Sequence, residues 1–348
     1  MSQAVLRLAK VLLLLCVPVP VFGAPAPREI TFEGAGGIRL SGTLLLPEGA
    51  SADRRVPAVV LVAGSGPTDR NGNQPPLLWT GLLKQLADML AEAGIASLRY
   101  DKRGQYRSGK PPGDAKALGE FVAWDHYVAD VEAAYRALGE QQEVDPARRA
   151  IVGHSEGGLL AMHAAIALQE GPGRPAAVVL LSTPGRPLDV VLREQLAAGF
   201  KRQGLADGAA AALLAENDQI IAAIRDGGEV PRDVPAALAP LYPPYIGRFL
   251  QRLLELDPAD LANKLRGPVL VVQGRKDLQV SAERDAPRLE AALRGQGRAN
   301  PCEVVLLDGA SHNLKRTAGE ADHAFFGPVV PELRAKLVGW LGEVFGQQ

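Results

Sequence analysis

Residues 151–158 read Ile151-Val152-Gly153-His154-Ser155-Glu156-Gly157-Gly158, and the predicted fold depends on this stretch. An apolar run enters it and a second apolar run, 159–168, leaves it, which predicts a strand, a sharp turn and a helix. The serine lies at the tip of the turn in a strained conformation, and Gly153 and Gly157 leave room for neighbouring segments. The pattern G-x-S-x-G in this setting predicts a nucleophile elbow with Ser155 exposed for chemistry. A structural turn that merely contains serine is the alternative.

The composition of the 348 residues, 47% hydrophobic and 22% charged, is typical of a globular protein with a large core. Residues 1–23 differ from the rest. Arg7 and Lys10 precede the apolar run Val11–Val17, and small residues follow before position 24, which predicts a secretory signal peptide. A membrane anchor is the alternative, but the run is short and two prolines follow it. We therefore expect an exported protein, periplasmic or extracellular, without a stable membrane span after cleavage.

Charge and cysteine content bear on partners and cofactors. The chain has 38 basic and 39 acidic residues, and the loss of two basic residues with the leader gives a net charge of −3. No basic excess remains, so we expect no nucleic-acid partner. Only Cys302 survives cleavage, which excludes an intramolecular disulfide. The sequence has no cysteine cluster, zinc-binding H-E-x-x-H motif or phosphate loop, so we expect neither a metal nor another cofactor. The sequence makes no prediction of the oligomeric state.

Short apolar strands alternate with helical segments along most of the chain. The first two strands, Glu29–Phe32 and Ile38–Leu46, are predicted to form a hairpin at a sheet edge. The other predicted strands, beside the one that enters the elbow, are Ala58–Val62, Ala96–Tyr100, Ala177–Leu181, Val269–Gln273 and Glu303–Leu307. The predicted helices are Leu77–Glu92, 123–138, Leu159–Leu168 and Pro331–Phe345. This alternation predicts an α/β fold, with a mostly parallel sheet and helices on both faces.

One region, between Ser182 and Gly267, contains no predicted strand. Its helical stretches are Leu188–Phe200 and Ala209–Arg225, followed by a proline-rich segment, Pro231–Pro244. The insertion is too long for a simple connection, which predicts a helical cap. The resulting domain organisation is a signal peptide (1–23), the first part of the core (24–182), the cap (183–266) and the second part of the core (267–348).

Three aromatic residues of the cap, Tyr242, Tyr245 and Phe249, are candidates for a substrate pocket. At their spacing they are equally suited to packing the cap on the core, and both interpretations stay open.

A serine hydroxyl needs a base to remove its proton, and the base needs a third group to orient it. His312 follows the last predicted strand, at the carboxyl edge of the sheet where Ser155 also lies, so it is the predicted base. His154 is expected to point away from the serine and pack under the elbow. The remaining histidines carry no motif for this role: His126, His163 and His323.

The orienting carboxylate should leave another strand at the same edge. Asp277 does so three residues after Gly274, and it is the predicted acid. Asp308 is the rival because it is nearer to the histidine in sequence, although its position suits a turn. Asp257 and Asp260 are interpreted as helix-capping residues.

The chain order Ser155, Asp277, His312 is that of the α/β-hydrolases. From about Val56 to its end, the chain resembles an α/β-hydrolase of the serine aminopeptidase and esterase-like branch. Residues Leu98–Gly104 resemble the family's loop after the fourth strand, and Gly267–Gly274 resemble the strand that leads to its acid. The resemblance implies the α/β-hydrolase fold, with the helical cap inserted before that strand.

The loop after the third strand, Ala63–Asn73, departs from the His-Gly sequence of many relatives. The oxyanion of acyl transfer needs two preorganised donors, each worth roughly 3 to 4 kcal/mol of barrier. We expect one from the backbone N–H of Glu156 and the other from Ser65, or next from Gly66. The Glu156 side chain is expected to bond locally. Arg70 is expected only to make a turn, and Arg103 either holds its loop by an ion pair or faces the pocket.

These residues and the resemblance together predict a cofactor-independent serine hydrolase. We expect it to cleave small-molecule carboxylic esters with modest acyl groups through an acyl-enzyme. A serine aminopeptidase of the same fold is the first alternative, and it would need a cap carboxylate for the substrate ammonium; the candidates are Glu194, Glu216 and Asp218. Acyl transfer to an alcohol is a second alternative, and a hydrolase-fold binding protein without catalysis is a third.

Overall fold

The computed structural model describes residues 27–171, 173–295 and 301–346, so the predicted signal peptide lies outside the described residues. The strands in these ranges are β1 (Pro27–Glu33), β2 (Arg39–Leu45), β3 (Val56–Val62), β4 (Ala96–Tyr100), β5 (Val144–His154), β6 (Ala177–Leu181), β7 (Val269–Gly274) and β8 (Cys302–Leu307). The α-helices are α1 (Leu82–Glu92), α2 (Ala115–Phe121), α3 (Trp124–Gly139), α4 (Glu156–Leu168), α5 (Leu188–Arg202), α6 (Asp207–Gly227), α7 (Gly247–Glu255), α8 (Pro258–Lys264), α9 (Ala286–Arg294) and α10 (Pro331–Val344).

The strands form one sheet in the order β1-β2-β4-β3-β5-β6-β7-β8. The β1–β2 hairpin lies at the edge and joins β4 in antiparallel pairing, and the other pairs, from β4 through β8, are parallel. The predicted edge hairpin and mostly parallel sheet are confirmed.

Helices cover both faces of the sheet. Every residue of β3 is buried, as expected for a strand whose two faces both pack against helices. On one face the core includes Trp124 of α3, Leu160 of α4 and Leu289 of α9. On the other face it includes Leu86 of α1 and Leu341 of α10. The predicted α/β architecture, with helices on both faces, is therefore confirmed.

Helix α1 begins later than predicted. The sequence predicted a start at Leu77, but this side chain is 90% exposed and the helix begins at Leu82. Gly81 has φ +59°, a left-handed conformation that cannot continue a right-handed helix. The four shorter helices α2, α7, α8 and α9 were not predicted with bounds, because about two turns show too little apolar periodicity.

Helices α5–α8 occupy the insertion between β6 and β7, and the described residues include no strand there. Helices α5 and α6 share an apolar cluster that includes Phe200, Ile220 and Ile224. Phe249 of α7 and Leu261 of α8 pack instead into the main core, which anchors the insertion. The chain thus has a helical insertion where the cap was predicted, while the exact domain boundaries stay a prediction.

Candidate active site

The turn at Ser155 joins β5 directly to α4. Ser155 has φ +55° and ψ −125°, a strained conformation for a residue with a side chain. A Cβ added at Gly153 would overlap the carbonyl oxygen of Gly157, and one added at Gly157 would overlap that of Val62. Both flanking positions therefore require glycine, because a side chain would push α4 away from β3 and β5.

His312 and Asp277 form a buried hydrogen-bonded pair. His312 Nδ1 lies 2.7 Å from Asp277 Oδ2, and the Asp277 side chain has no exposed surface. Asp277 Oδ1 also accepts from the backbone N–H groups of Gln279 and Val280, at 2.7 and 2.9 Å. Gln273 Nε2 donates to Asp277 Oδ2 at 2.7 Å. Because the carboxylate holds a proton on Nδ1, Nε2 of the neutral imidazole is left with a lone pair.

The rival carboxylate, Asp308, takes no part in this arrangement. Its side chain is 89% exposed and pairs with Arg275 at 2.8 Å. Asp257 accepts from the N–H of Ala259 at the start of α8, as its interpretation as a helix cap requires.

His154 lies under the elbow and supports His312. Its Nε2 is 2.9 Å from the carbonyl oxygen of His312, and the two rings lie 4.9 Å apart between centroids. A carbonyl only accepts, so Nε2 of His154 must donate. Burial, and next the neighbouring His312, lower the pKa of His154 to about 3. His154 is therefore neutral and holds the backbone of the predicted base, a role that the sequence did not reveal.

The other three histidines have contacts of their own. Trp124 Nε1 donates to His163 Nδ1 at 3.1 Å, and His126 Nδ1 lies 3.4 Å from the carbonyl oxygen of Phe121. His323 stacks on Phe325 with ring centroids 5.3 Å apart.

Ser155 and His312 line one cavity, which we call the serine cavity and define by Ser65, Ser155 and His312. Its volume is about 80 Å³. Ser65 belongs to the loop after β3, where its carbonyl accepts from Thr68 Oγ1 at 3.0 Å and Gln74 Nε2 at 2.8 Å. These bonds fix the loop beside the serine. Gly66, the second candidate donor, lines a different cavity.

That second cavity, the lateral cavity, has a volume of about 180 Å³. We define it by Gly66, Lys102, Tyr127, Glu156, Tyr245 and Phe249. Two of its lining residues directly follow residues of the serine cavity in sequence: Gly66 follows Ser65, and Glu156 follows Ser155. Two of the three predicted aromatic pocket residues, Tyr245 and Phe249, are in its wall.

Tyr242 is placed differently: of the two interpretations left open for it, the structure has packing and not a place in the pocket. It is 3% exposed and belongs to the apolar cluster inside the cap. Its hydroxyl donates to Asn217 Oδ1 at 2.6 Å. The buried hydroxyl has its partner within the cap, so Tyr242 stabilises the insertion.

The Glu156 side chain was expected to bond locally, but its partner is distant in sequence. Lys102 Nζ, 54 residues away in sequence, donates to Glu156 Oε1 at 3.0 Å, and both side chains are largely buried. Arg103 instead pairs with Asp130 at 2.7 Å, with both side chains 1% exposed. Arg103 was expected either to hold its loop by an ion pair or to face the pocket, and the structure shows the ion pair. The neighbouring Lys102, not Arg103, lines the lateral cavity.

Arg70 does more than make a turn. Its guanidinium pairs with Asp101 at 2.7 Å and with Glu29 at 2.6 Å, and its backbone N–H donates to Asp101 Oδ1 at 2.9 Å. The side chain is buried between the loop after β3 and the edge strands. These partners lie far away in sequence, so no local pattern pointed to them.

Within the three described ranges, no group of three or more His, Cys, Asp or Glu side chains is arranged to hold a metal ion. No helix in the same ranges is long and apolar enough to cross a bilayer.

The sequence is similar to those of known proteins. A sequence profile of the alpha/beta hydrolase family matches residues 59–325. Esterase EstD of Thermotoga maritima is 28% identical over 301 residues, or 84% of this chain, and the chain spans 61% of that relative's length.

Solved structures share the fold at low sequence identity. An esterase of Pyrococcus furiosus matches with a TM-score of 0.55 and 14% identity, over 93% of this chain and 91% of its own. A puromycin-hydrolyzing peptidase of Mycobacterium tuberculosis has a TM-score of 0.58 and 20% identity, over 93% of this chain and 41% of its own. Est1E of Butyrivibrio proteoclasticus has a TM-score of 0.55 and 16% identity, over 91% of this chain and 99% of its own. The elbow, the chain order of the site residues and the match over most of the sequence lead to one conclusion: the chain belongs to the alpha/beta hydrolase family.

Proposed function

We propose that this protein is an exported serine hydrolase that cleaves carboxylic esters. The observation that carries the proposal is the His312–Asp277 pair, whose imidazole lines one cavity with a serine at a strained strand-to-helix turn. Similarity to the Thermotoga maritima esterase supports ester bonds as the target.

In the proposed mechanism Ser155 Oγ attacks the ester carbonyl carbon while His312 Nε2 takes the serine proton. The tetrahedral intermediate collapses, the C–O bond to the alcohol breaks, and His312 returns the proton to the departing oxygen. A water molecule, deprotonated by the same nitrogen, then attacks the acyl-enzyme carbonyl. The bond between the acyl carbon and Ser155 Oγ breaks, His312 returns the proton to Oγ, and the acid leaves. Asp277 keeps the imidazole oriented and stabilises its positive charge.

The oxyanion is assigned to two backbone donors. Glu156 is the first residue of α4, where helix N–H groups have no intrahelical acceptor and the helix dipole favours negative charge. The second donor is the N–H of Ser65, because Ser65 lines the serine cavity and Gly66 does not.

Hydrolysis of a chromogenic ester series, from acetyl to long acyl chains, tests this function. We expect turnover by the wild type and a loss of about 10⁶-fold in kcat for Ser155→Ala, because the nucleophile is removed. Equal rates for the two proteins on every ester would reject the proposed hydrolase activity.

The aminopeptidase alternative gains no support from the cap carboxylates. Glu194 pairs with Arg186 at 2.8 Å and also with Arg284. Asp218 pairs with Arg193, and Glu216 is exposed. The two paired carboxylates are already neutralised, which makes them poor partners for a substrate ammonium. Faster cleavage of an aminoacyl amide than of the matching ester would favour the peptidase.

Export rests on the signal-like sequence of residues 1–23. The N-terminal sequence of the protein recovered from the exported fraction tests it: a start at Ala24 supports export, whereas a chain that keeps Met1 in the cytoplasmic fraction rejects it.

A further inference from the structure

The lateral cavity contains a buried ion pair that the proposed mechanism does not use. The Lys102 side chain is 7% exposed and the Glu156 side chain 13%, and their nitrogen and oxygen atoms lie 3.0 Å apart. Lys102 follows β4, whereas Glu156 follows Ser155 directly. The fold therefore places a paired ammonium and carboxylate next to the nucleophile.

Both members of the pair keep hydrogen-bonding capacity. An ammonium has three N–H donors, and in the described part of the chain Lys102 Nζ uses one of them, toward Glu156. Glu156 accepts through Oε1, which leaves Oε2 as a further acceptor. Buried polar groups are normally satisfied by a protein, water or ligand partner. A group that both accepts and donates would complement the pair.

Beside the ion pair, the lateral cavity is lined mainly by apolar and aromatic residues, with Gln105 as a further polar side chain. Tyr127 and Phe249 meet edge to face, with centroids 5.7 Å apart and planes at 77°. Val122 and Tyr245 line the same space. The volume of about 180 Å³ is below the roughly 300 to 1,000 Å³ typical of sites for drug-sized ligands. The cavity therefore suits one ring or a short chain.

The position of the base decides which half of the ester enters the lateral cavity. His312 lines the serine cavity, and it must reach the oxygen of the departing alcohol to protonate it. The alcohol therefore belongs on the serine-cavity side. An acyl group on Ser155 would then extend past the neighbouring Glu156, toward the lateral cavity.

Building on the proposed function, we propose that the lateral cavity selects acyl groups that carry a neutral hydroxyl on a ring-sized apolar body. The hydroxyl accepts a hydrogen bond from Lys102 Nζ and donates one to the Glu156 carboxylate. A carboxylate in the same place is disfavoured, since Lys102 is already neutralised and Glu156 repels a second negative charge.

The test compares methyl esters of 3-phenylpropionic acid that bear hydrogen, hydroxyl, methoxy or carboxylate at the 4-position, at pH 7, where the phenol is neutral. The alcohol is constant, so differences in kcat/KM report the acyl group. We expect the hydroxyl ester to exceed the unsubstituted ester at least tenfold. The methoxy ester, which cannot donate, should fall below the hydroxyl ester, and the carboxylate ester should be the poorest.

A double variant, Lys102→Met/Glu156→Gln, removes both charges without leaving one of them unpaired. We expect it to bring the hydroxyl-to-unsubstituted ratio of kcat/KM close to one. The matched control, Lys84→Met/Asp88→Asn, removes an exposed ion pair on α1 and should keep the wild-type ratio. Thermal unfolding shows whether each variant is folded.

The outcomes separate the two proposals. If the wild type hydrolyses hydroxyl and unsubstituted esters equally, or if the folded double variant keeps the preference, the assignment of the lateral cavity is wrong while the hydrolase function stands. If the wild type hydrolyses none of the esters and matches Ser155→Ala, the proposed function itself fails. Should the double variant not fold, the wild-type ratio alone decides.

Discussion

His154 shows how one buried side chain links the site to stability. Its pKa is about 3 in the fold, against the usual value of 6.5 for histidine, because burial disfavours the charged ring. Its single donor position is used to hold the backbone of His312. Protonation would place a charge under the elbow, so the native state depends on the neutral ring.

We expect His154 to make the protein less stable in acid. Below pH 6.5 the unfolded chain binds a proton at this residue and the folded chain does not, so stability falls as the pH drops from 6.5 toward 3. Between pH 6.5 and 4.5 the contribution amounts to about 2 kcal/mol. Urea unfolding at both pH values measures it in the wild type and in His154→Gln, which keeps an N–H donor but does not titrate. An equal drop in both proteins would contradict this assignment.

Local sequence predicts a site residue where the residue lies in the loop directly after a strand. Ser155, Asp277 and His312 were predicted because each lies in a recognisable position after its strand, and the structure brings His312 and Asp277 within hydrogen-bonding distance. The support from His154 and the Lys102–Glu156 pair could not be found this way, since each depends on a contact between residues far apart in sequence.

At the scale of elements, the loop after β3 is shaped by an anchor. Arg70 fastens it to Asp101, which follows β4, and to Glu29 of β1. The Arg70 and Asp101 side chains are 8% and 3% exposed, so water could not replace the hydrogen bonds of either side chain if its partner were removed. The same loop carries Ser65, and its position beside Ser155 therefore depends on this anchor.

We expect Arg70→Met to destabilise the fold by about 3 to 5 kcal/mol, because it leaves the buried Asp101 carboxylate unpaired. In the protein that remains folded, kcat should fall more than KM changes, since the Ser65 donor acts on the transition state. Urea unfolding and ester kinetics measure the two effects. Arg107→Met is the control: Arg107 also contacts Glu29, at 3.3 Å, but is 73% exposed, so we expect at most about 1 kcal/mol. Similar losses in both variants would count against the anchor.

Element boundaries were less predictable than element types. The alternation of strands and helices identified every strand of the sheet in the described ranges, whereas the start of α1 was misplaced by the apolar residues Leu77 and Leu78. Those residues resemble the first turn of a helix, but Gly81 prevents it. Tyr242 and Tyr245 show a related limit, because three residues of spacing did not reveal that one packs inside the cap and the other lines a cavity.

For the molecule as a whole, the sheet brings the residues of the candidate site together at one edge. Ser65 follows β3, Lys102 follows β4, Ser155 follows β5, Asp277 follows β7 and His312 follows β8. These strands are parallel, so their carboxyl ends face the same way and the loops after them meet. The order of strands in the sheet thus explains why residues up to 247 positions apart share a site.

In the proposed mechanism Ser155 is an activated nucleophile, and covalent labelling measures this property directly. An alkyl fluorophosphonate transfers its phosphonyl group to such a serine with loss of fluoride, and the adduct does not turn over readily. Intact-protein mass spectrometry followed by peptide mapping should find one phosphonyl group per chain, on Ser155, with parallel loss of esterase activity and no adduct in Ser155→Ala. Labelling of another residue, or equal labelling of the variant, would contradict the proposed mechanism.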